Sequence, residues 1–304
     1  PSPAASISQT IGISTVEVHY SRPAVKDREV WGKLVPYGWN KQSFGPGREA
    51  PWRAGANENT TIEFSHVVKV GGQAVPAGKY GLFFVINSDD TGEAILSKDN
   101  RSWGSFFYDP ANDQLRTKIQ LRNIPHAELL TYDFINLSKN GGELVLNWEK
   151  KQFPLSIEFA VDDIVMANAT EELKGPVGFN WQGPSSAANF ALQNKINLEN
   201  AQVWADRAVT QNKNFNTLNT KAGLLRLSGK TAEADKVQQE ASKVANEVEL
   251  NAYGYQLLGE NRFDEAIKIM ALNTERYPES ANAWDSLGEA YALKGDKSNA
   301  IVSF

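Results

Sequence analysis

The chain has no cysteine among its 304 residues. Disulfides, thiolate metal sites and cysteine nucleophiles are therefore excluded together, while the redox compartment stays open. Histidine is nearly as scarce. His19, His66 and His126 fall in separate segments with no HxH or HExxH spacing, so no metal site is assigned. No apolar run is long enough to span a bilayer, and no transmembrane segment is expected. Charge of one sign is missing too. Lys and Arg number 31 against 36 Asp and Glu, with 17 and 19 in residues 1–165 and 14 and 17 in residues 166–304. Neither part holds a basic patch suited to nucleic acid or an acidic run typical of a disordered tail. GxSxG and GxxxxGK[ST] patterns are absent, and no catalytic residue or cofactor is assigned. The acidic pairs Asp89-Asp90 and Asp162-Asp163 stand at a turn and a helix start, where solvation or N-capping accounts for them.

What is present divides in two. Residues 10–160 read as strands. From Thr61 to Val70 the apolar Ile62, Phe64, Val68 and Val70 alternate with Thr61, Glu63, Ser65 and Lys69. A period of two puts alternate side chains on opposite faces of a sheet. His66 falls on the apolar face of this run and is expected as a hydrogen-bonded core histidine. Leu115 to Leu121, Leu144 to Trp148 and Leu155 to Val161 alternate in the same way. Gly71-Gly72, Pro76-Ala77-Gly78, Ser88 to Gly92 and Asn140-Gly141-Gly142 supply the turns. Eight or nine short strands at this spacing indicate an antiparallel β-sandwich or barrel. Residues 31–59 hold three of the eight tryptophans with three prolines and five glycines, and read as a long ordered surface loop.

Beyond Val161 aromatic and β-branched residues thin out. Asp163 to Leu173 suggests a connecting helix that stops at Gly175-Pro176. Residues 175–185 read as a turn-rich linker. The expected domains are thus 1–162 all-β, 163–185 connecting helix and linker, and 186–304 all-α.

In the last part Leu250, Gly254, Leu257, Ala266 and Met270 recur 34 positions later as Trp284, Gly288, Tyr291, Ala300 and Phe304. This is the tetratricopeptide period and pattern, with Pro278 closing the first of the two units. The large residue, glycine and tyrosine let the two helices of one hairpin meet closely. These positions are expected in the core. Two weaker units precede them. One is marked by Leu218, Ala222, Leu225, Gly229 and Ala234, and the other by Ala187 to Lys195 and Leu198 to Thr210. About four helix pairs result, the last ending within its second helix at Phe304. An apolar edge is expected there, to be covered by further residues or a partner.

The most specific polar stretch is Trp52-Arg53-Ala54-Gly55-Ala56-Asn57-Glu58. Arginine brings a planar fork of donors, asparagine a donor and an acceptor, and glutamate an acceptor. With Arg22 and Tyr37, the residues Trp52, Arg53, Asn57 and Glu58 could form an aromatic-walled polar site for carbohydrate or peptide. The competing reading makes Arg22, Arg53 and Glu58 a buried ion-pair network that fixes the loop. On the helices, the positions between core residues face the groove of such arrays. Asn251, Tyr255, Asn282, Asp285 and Glu289 are the candidates there for a protein or peptide partner.

Five stretches in the first part carry a resemblance: Tyr20-Ser21-Arg22-Pro23, Leu34-Val35-Pro36-Tyr37-Gly38, residues 52–58, Pro76-Ala77-Gly78-Lys79-Tyr80-Gly81, and Leu144-Val145-Leu146-Asn147-Trp148-Glu149. Over residues 4–161 the chain resembles the bacterial family catalogued as domain of unknown function 2911. The resemblance implies an exported protein, periplasmic or surface-associated, with tetratricopeptide-like repeats behind the β domain and no assigned activity. Pro1 fits a processed or trimmed start, as after removal of a signal peptide. About ten residues, Asn40 to Pro51, are extra relative to the family pattern. Together these features point to a non-enzymatic binding or adaptor protein with a helical protein-interaction platform. The alternative is a carbohydrate-binding or carbohydrate-processing β domain that the repeats support.

Overall fold

The computed structural model describes residues 2–304. The chain forms two compact units, residues 1–165 and 166–304.

The first unit contains β1 (Ala4–Ile11), β2 (Ser14–Ser21), β3 (Asn40–Lys41), β4 (Glu49–Ala50), β5 (Thr61–Phe64) and β6 (Val68–Val70). It continues with β7 (Gln73–Val75), β8 (Gly78–Ile86), β9 (Thr91–Ser97), β10 (Asp113–Gln120), β11 (Arg122–Ile135) and β12 (Gly141–Glu158). One sheet has the order β1-β2-β5-β8-β9-β10, a second β11-β12-β6-β7, and β3-β4 form a small hairpin. Neighbouring strands pair antiparallel. The six-stranded sheet turns Val18, Ile62, Leu82, Phe84 and Leu96 toward the same core that receives Leu130, Leu144, Leu146, Phe153 and Ile157 from the four-stranded one. The unit is therefore a sandwich of two open sheets, not a barrel. Gly71 and Gly72, both at positive φ, close the β6–β7 hairpin as a two-residue turn must.

Thr61 to Val70 is not one strand. β5 pairs with β2 and β8 in the first sheet, and β6 pairs with β12 and β7 in the second. The chain crosses between sheets at Ser65–Val67. The alternation survives because both ends turn Ile62, Phe64, Val68 and Val70 to the shared core. The crossing moves His66 off the apolar face. It is half-buried in the bend and its Nδ1 lies 2.9 Å from Ser65 Oγ. Thr61, expected on the solvent face, is buried.

β8 is buried on both faces, as its unbroken Leu82-Phe83-Phe84-Val85-Ile86 run requires. Phe83 and Val85 pack in a second small core with Ala50, Ile95 and Tyr108, against which Trp39 rests. Residues 31–59 account for this. β5 covers only the first part of one β8 edge, and the loop completes it. Leu82 donates to the Thr60 carbonyl at 2.8 Å, Trp52 and Phe84 exchange bonds at 2.8 and 2.9 Å, and Gly38 donates to the Ile86 carbonyl at 2.7 Å. Backbone groups at this buried edge are thus paired.

Helix α1 (Val161–Glu172) contributes Val161 to the sandwich core, and Met166 to a cluster in the second unit. A short 3-10 turn, Pro176–Phe179, follows. α2 (Gln182–Asn194) begins inside the stretch read as linker, because Pro184 is tolerated in a first helical turn. Then come α3 (Leu198–Gln211), α4 (Phe215–Leu227), α5 (Thr231–Val244), α6 (Glu247–Gly259), α7 (Phe263–Arg276), α8 (Ala281–Lys294) and α9 (Lys297–Ser303). They pack as successive pairs. Asn214, Asn246 and Ser280 cap the first helix of the last three pairs, each accepting from a backbone N–H three residues on. The repeat glycines act as their pattern implies. A Cβ on Gly254 would sit 2.7 Å from Met270, and one on Gly288 would sit 2.8 Å from Phe304. Trp284 and Phe304 depart from expectation: they are 38% and 72% exposed. Among the described residues no further helix covers that face of the last pair.

Candidate functional site

The turn at residues 53–58 is built by buried hydroxyls. Ala54 and Asn57 adopt positive φ, 54° and 60°, which non-glycine residues hold only when neighbours enforce it. The Ala54 carbonyl accepts from Tyr132 Oη at 2.9 Å and from Thr60 Oγ1 at 3.1 Å. Tyr132 is fully buried, and burial raises its phenol well above the ordinary range, so it stays a donor. Asn57 Nδ2 donates to the Ser2 carbonyl at 3.1 Å and to Ser21 Oγ at 3.2 Å, which fixes the far end of the turn.

This turn edges a cavity of about 360 Å³ inside the first unit. Trp52, Arg53 and Asn57 line it, with Arg28 and Trp148. Asn40, Gln42 and Pro51 come from the long loop of residues 31–59, and Ser105 from the loop before β10. The wall contains two arginines and neither aspartate nor glutamate. Arg53 Nη1 donates to the Asn57 carbonyl at 2.6 Å, and its guanidinium lies 5.2 Å from the Phe106 ring centre. It also rests against Gly104, where a Cβ would come 2.1 Å from Arg53 Cζ. Burial pushes the Arg53 pKa down from its ordinary value. Arg28 donates Nε to the Val25 carbonyl at 3.0 Å and Nη2 to that of Ala24. Among the described residues, neither guanidinium pairs with a carboxylate.

The tryptophans pack on one another. Trp52 and Trp148 stack at 5.8 Å and 16°, and Trp31 meets both edge-on at 5.9 and 5.7 Å. Their ring faces are consumed by these contacts and by Phe153. Trp31 Nε1 donates to Glu149 at 3.2 Å, from a position with φ 53° that breaks the alternation of β12 beside Trp148. Trp148 Nε1 is buried without an acceptor, an omission that costs about 1–3 kcal/mol.

Three of the six predicted residues line the cavity and three do not. Arg22 is drawn to β11, donating to the Leu130 carbonyl at 3.0 Å and Thr131 Oγ1 at 2.7 Å. Tyr37 is exposed and packs over Gly32, while its neighbours Pro36 and Gly38 line the wall. Glu58 is exposed outside the wall. The buried network of Arg22, Arg53 and Glu58 does not form, because each arginine spends its bonds on carbonyls or a hydroxyl instead. Arg28, Asn40, Gln42, Ser105 and Trp148 were missed by sequence reasoning.

On the helices, Tyr255 of α6 donates to Glu289 of α8 at 2.7 Å, and its oxygen lies 3.3 Å from the Ser286 hydroxyl. Asn282 and Asp285 are exposed on α8, and Asn251 is half-buried with its Oδ1 lacking a donor. A separate groove of about 1050 Å³ runs between α5 and α7. Gln238 on its wall is buried with both amide atoms unpartnered. The histidines stay apart, beside Glu17, Ser65 and Glu128 respectively. Among the described residues no helix is long and apolar enough to cross a membrane.

A family model described as "Protein of unknown function (DUF2911)" matches residues 2–157. No curated protein matches the chain. Among solved structures the chain is similar to MamA, at 16% identity over 47% of this chain and 85% of that one, with a TM-score of 0.33. YrrB, titled a TPR protein with an unusual peptide-binding site, is 19% identical over 47% and 74%, with a TM-score of 0.30. A MamA from Desulfovibrio magneticus RS-1, residues 41 to the end, is 17% identical over 48% and 82%, with a TM-score of 0.31.

Proposed function

The chain belongs to the DUF2911 family of unknown function, and from that premise we propose that it is a non-enzymatic adaptor. Its helical unit takes a protein or peptide segment on the face formed by α6 and α8, and its β unit holds a small ligand in the cavity beside Arg53. One observation carries the peptide reading. That face carries two carboxylates, Asp285 and Glu289, and among the described residues neither has a cationic partner; Glu289 accepts only from Tyr255. An extended segment supplies backbone N–H groups, and a lysine or arginine in it supplies charge. Fluorescence polarisation of the full chain with labelled peptides tests this. Lysine-containing peptides are expected to bind, and Asp285→Asn with Glu289→Gln to weaken them about tenfold, as loss of charge-assisted bonds implies. Equal weak binding of lysine-rich and glutamate-rich peptides would sink the reading.

A carbohydrate on the β unit finds less support. Sugars stack on open aromatic faces, whereas Trp52 and Trp148 stack on each other and Trp31 meets both edge-on. The proposal also places the protein in the cell envelope, as the family resemblance implies. Recovery of the native protein in the cytosolic fraction would remove that element.

A further inference from the structure

We propose that the cavity between Arg28, Arg53 and Trp52 binds a small organic carboxylate. This rests on the reading of that cavity as a ligand site and is independent of the peptide face.

The first ground is charge. The chain is net acidic at −5. Yet the cavity wall carries two guanidiniums and no carboxylate. A half-buried arginine is ordinarily paired, because desolvation penalises its charge unless an anion or hydrogen bonds compensate. Arg53 is desolvated enough for its pKa to fall, and it has one hydrogen bond, from Nη1 to Asn57. An anion in the cavity supplies the missing partner.

The second ground is geometry. Nη1 is the atom engaged, so the Nε and Nη2 edge of Arg53 is unspent among the described residues. That edge is the fork that meets two carboxylate oxygens side by side. Asn57 cannot turn away to disturb it, being held by Ser2 and Ser21. The Phe106 ring and Gly104 hold the guanidinium plane in place. Arg28 adds one free nitrogen, Nη1, since Nε and Nη2 are occupied.

The third ground is the rest of the wall. Leu34, Val35, Pro36 and Pro51 make much of it apolar. Trp148 adds ring surface to it. A phosphate dianion, with three charged oxygens, needs more donors than this wall offers. A carboxylate with an apolar body uses the fork for its charged end and Leu34, Val35, Pro36 and Pro51 for the remainder. A cavity of about 360 Å³ is the size of a small organic acid.

The test is calorimetric titration of the full chain with matched probes: benzoate and hexanoate, their neutral analogues benzyl alcohol and hexanol, and phenyl phosphate. Saturable binding of a carboxylate at least tenfold tighter than its alcohol is the expected result. Arg53→Gln should abolish that preference, with Glu58→Gln as an unaffected control. The wild-type comparison stands even if the Arg53 variant does not fold. Alcohols that bind as tightly as the acids would overturn the carboxylate assignment and leave the ligand site standing. Phenyl phosphate binding more tightly than benzoate would overturn it in favour of phosphate. Failure of every probe to bind at 10 mM, on the order of the weakest affinity such a site would show, would overturn the assignment and the ligand-site reading together.

Discussion

Arg53 holds its place through a carbonyl, a ring face and a glycine, so its position can be disturbed without touching its charge. Gly104→Ala puts a methyl where the guanidinium lies, at a φ of 64° that disfavours any side chain. The guanidinium is expected to swing out of the cavity wall, seen as a loss of its restricted side-chain signals by NMR. Retention of the wild-type spectrum would contradict the packing described. The supporting hydroxyl makes a second prediction. Tyr132→Phe removes one of two donors to the buried Ala54 carbonyl, and urea denaturation should show a loss of about 1–2 kcal/mol. At this scale the sequence was partly legible. Arg53 and Asn57 stood out because residues 52–58 concentrate hydrogen-bond donors and acceptors beside a tryptophan. Arg28 and Trp148 did not, because the cavity gathers residues from positions 2 to 148 and no local pattern joins them. Glu58 and Arg22 misled because proximity in sequence was taken for proximity in space, and a turn sends successive side chains in different directions.

Among the elements, the helix pairs were the most legible part, since each repeats one packing problem. Gln238 marks where the repeat is broken. It is the eighth residue of α5, as Met270 is of α7, and Phe304 lies at the matching distance from the start of α9. Where its counterparts present an apolar knob, Gln238 buries an amide with no partner for either atom. Gln238→Met should therefore raise stability by about 1–3 kcal/mol, read as a higher urea midpoint at unchanged slope. A neutral or lower midpoint would mean the amide has partners in solution. β-Strand elements were read less well. The crossing at Ser65–Val67 is invisible to periodicity because both halves serve one core, and β8 escaped notice because a run buried on both faces does not alternate. The β11–β12 hairpin carries a pH dependence. Arg122 donates to both Glu143 oxygens, at 2.7 and 3.0 Å, and holds that carboxyl below the usual carboxylate range. A depressed pKa contributes stability above the unfolded value and loses it as pH falls through the folded one. Thermal stability should drop from roughly pH 5 to pH 3, the range in which carboxylates titrate. Glu143→Gln should flatten part of that drop. An unchanged slope would mean the pair is screened away.

For the whole molecule the separate cores set the behaviour. The sandwich core and the clusters of the helical unit share no buried residue. Residues 1–174 and 161–304, each keeping α1 entire, are expected to fold alone, and calorimetry of the full chain should show a transition for each. A single transition in the full chain, with neither fragment folded, would overturn this. The crossing strand described earlier also sets the order of events when the chain folds. Lys69 and Val70 must wait for Glu158 and Ile157, their partners in β12. Closing so long a loop is slow, whereas each helix pair closes over a few tens of residues. During synthesis β5 and β6 thus emerge well before the strand that completes their sheets' shared core. Until β12 is out, the inner faces of β5 and β6 stand open, and a chaperone or a tethered ribosome has to shield them.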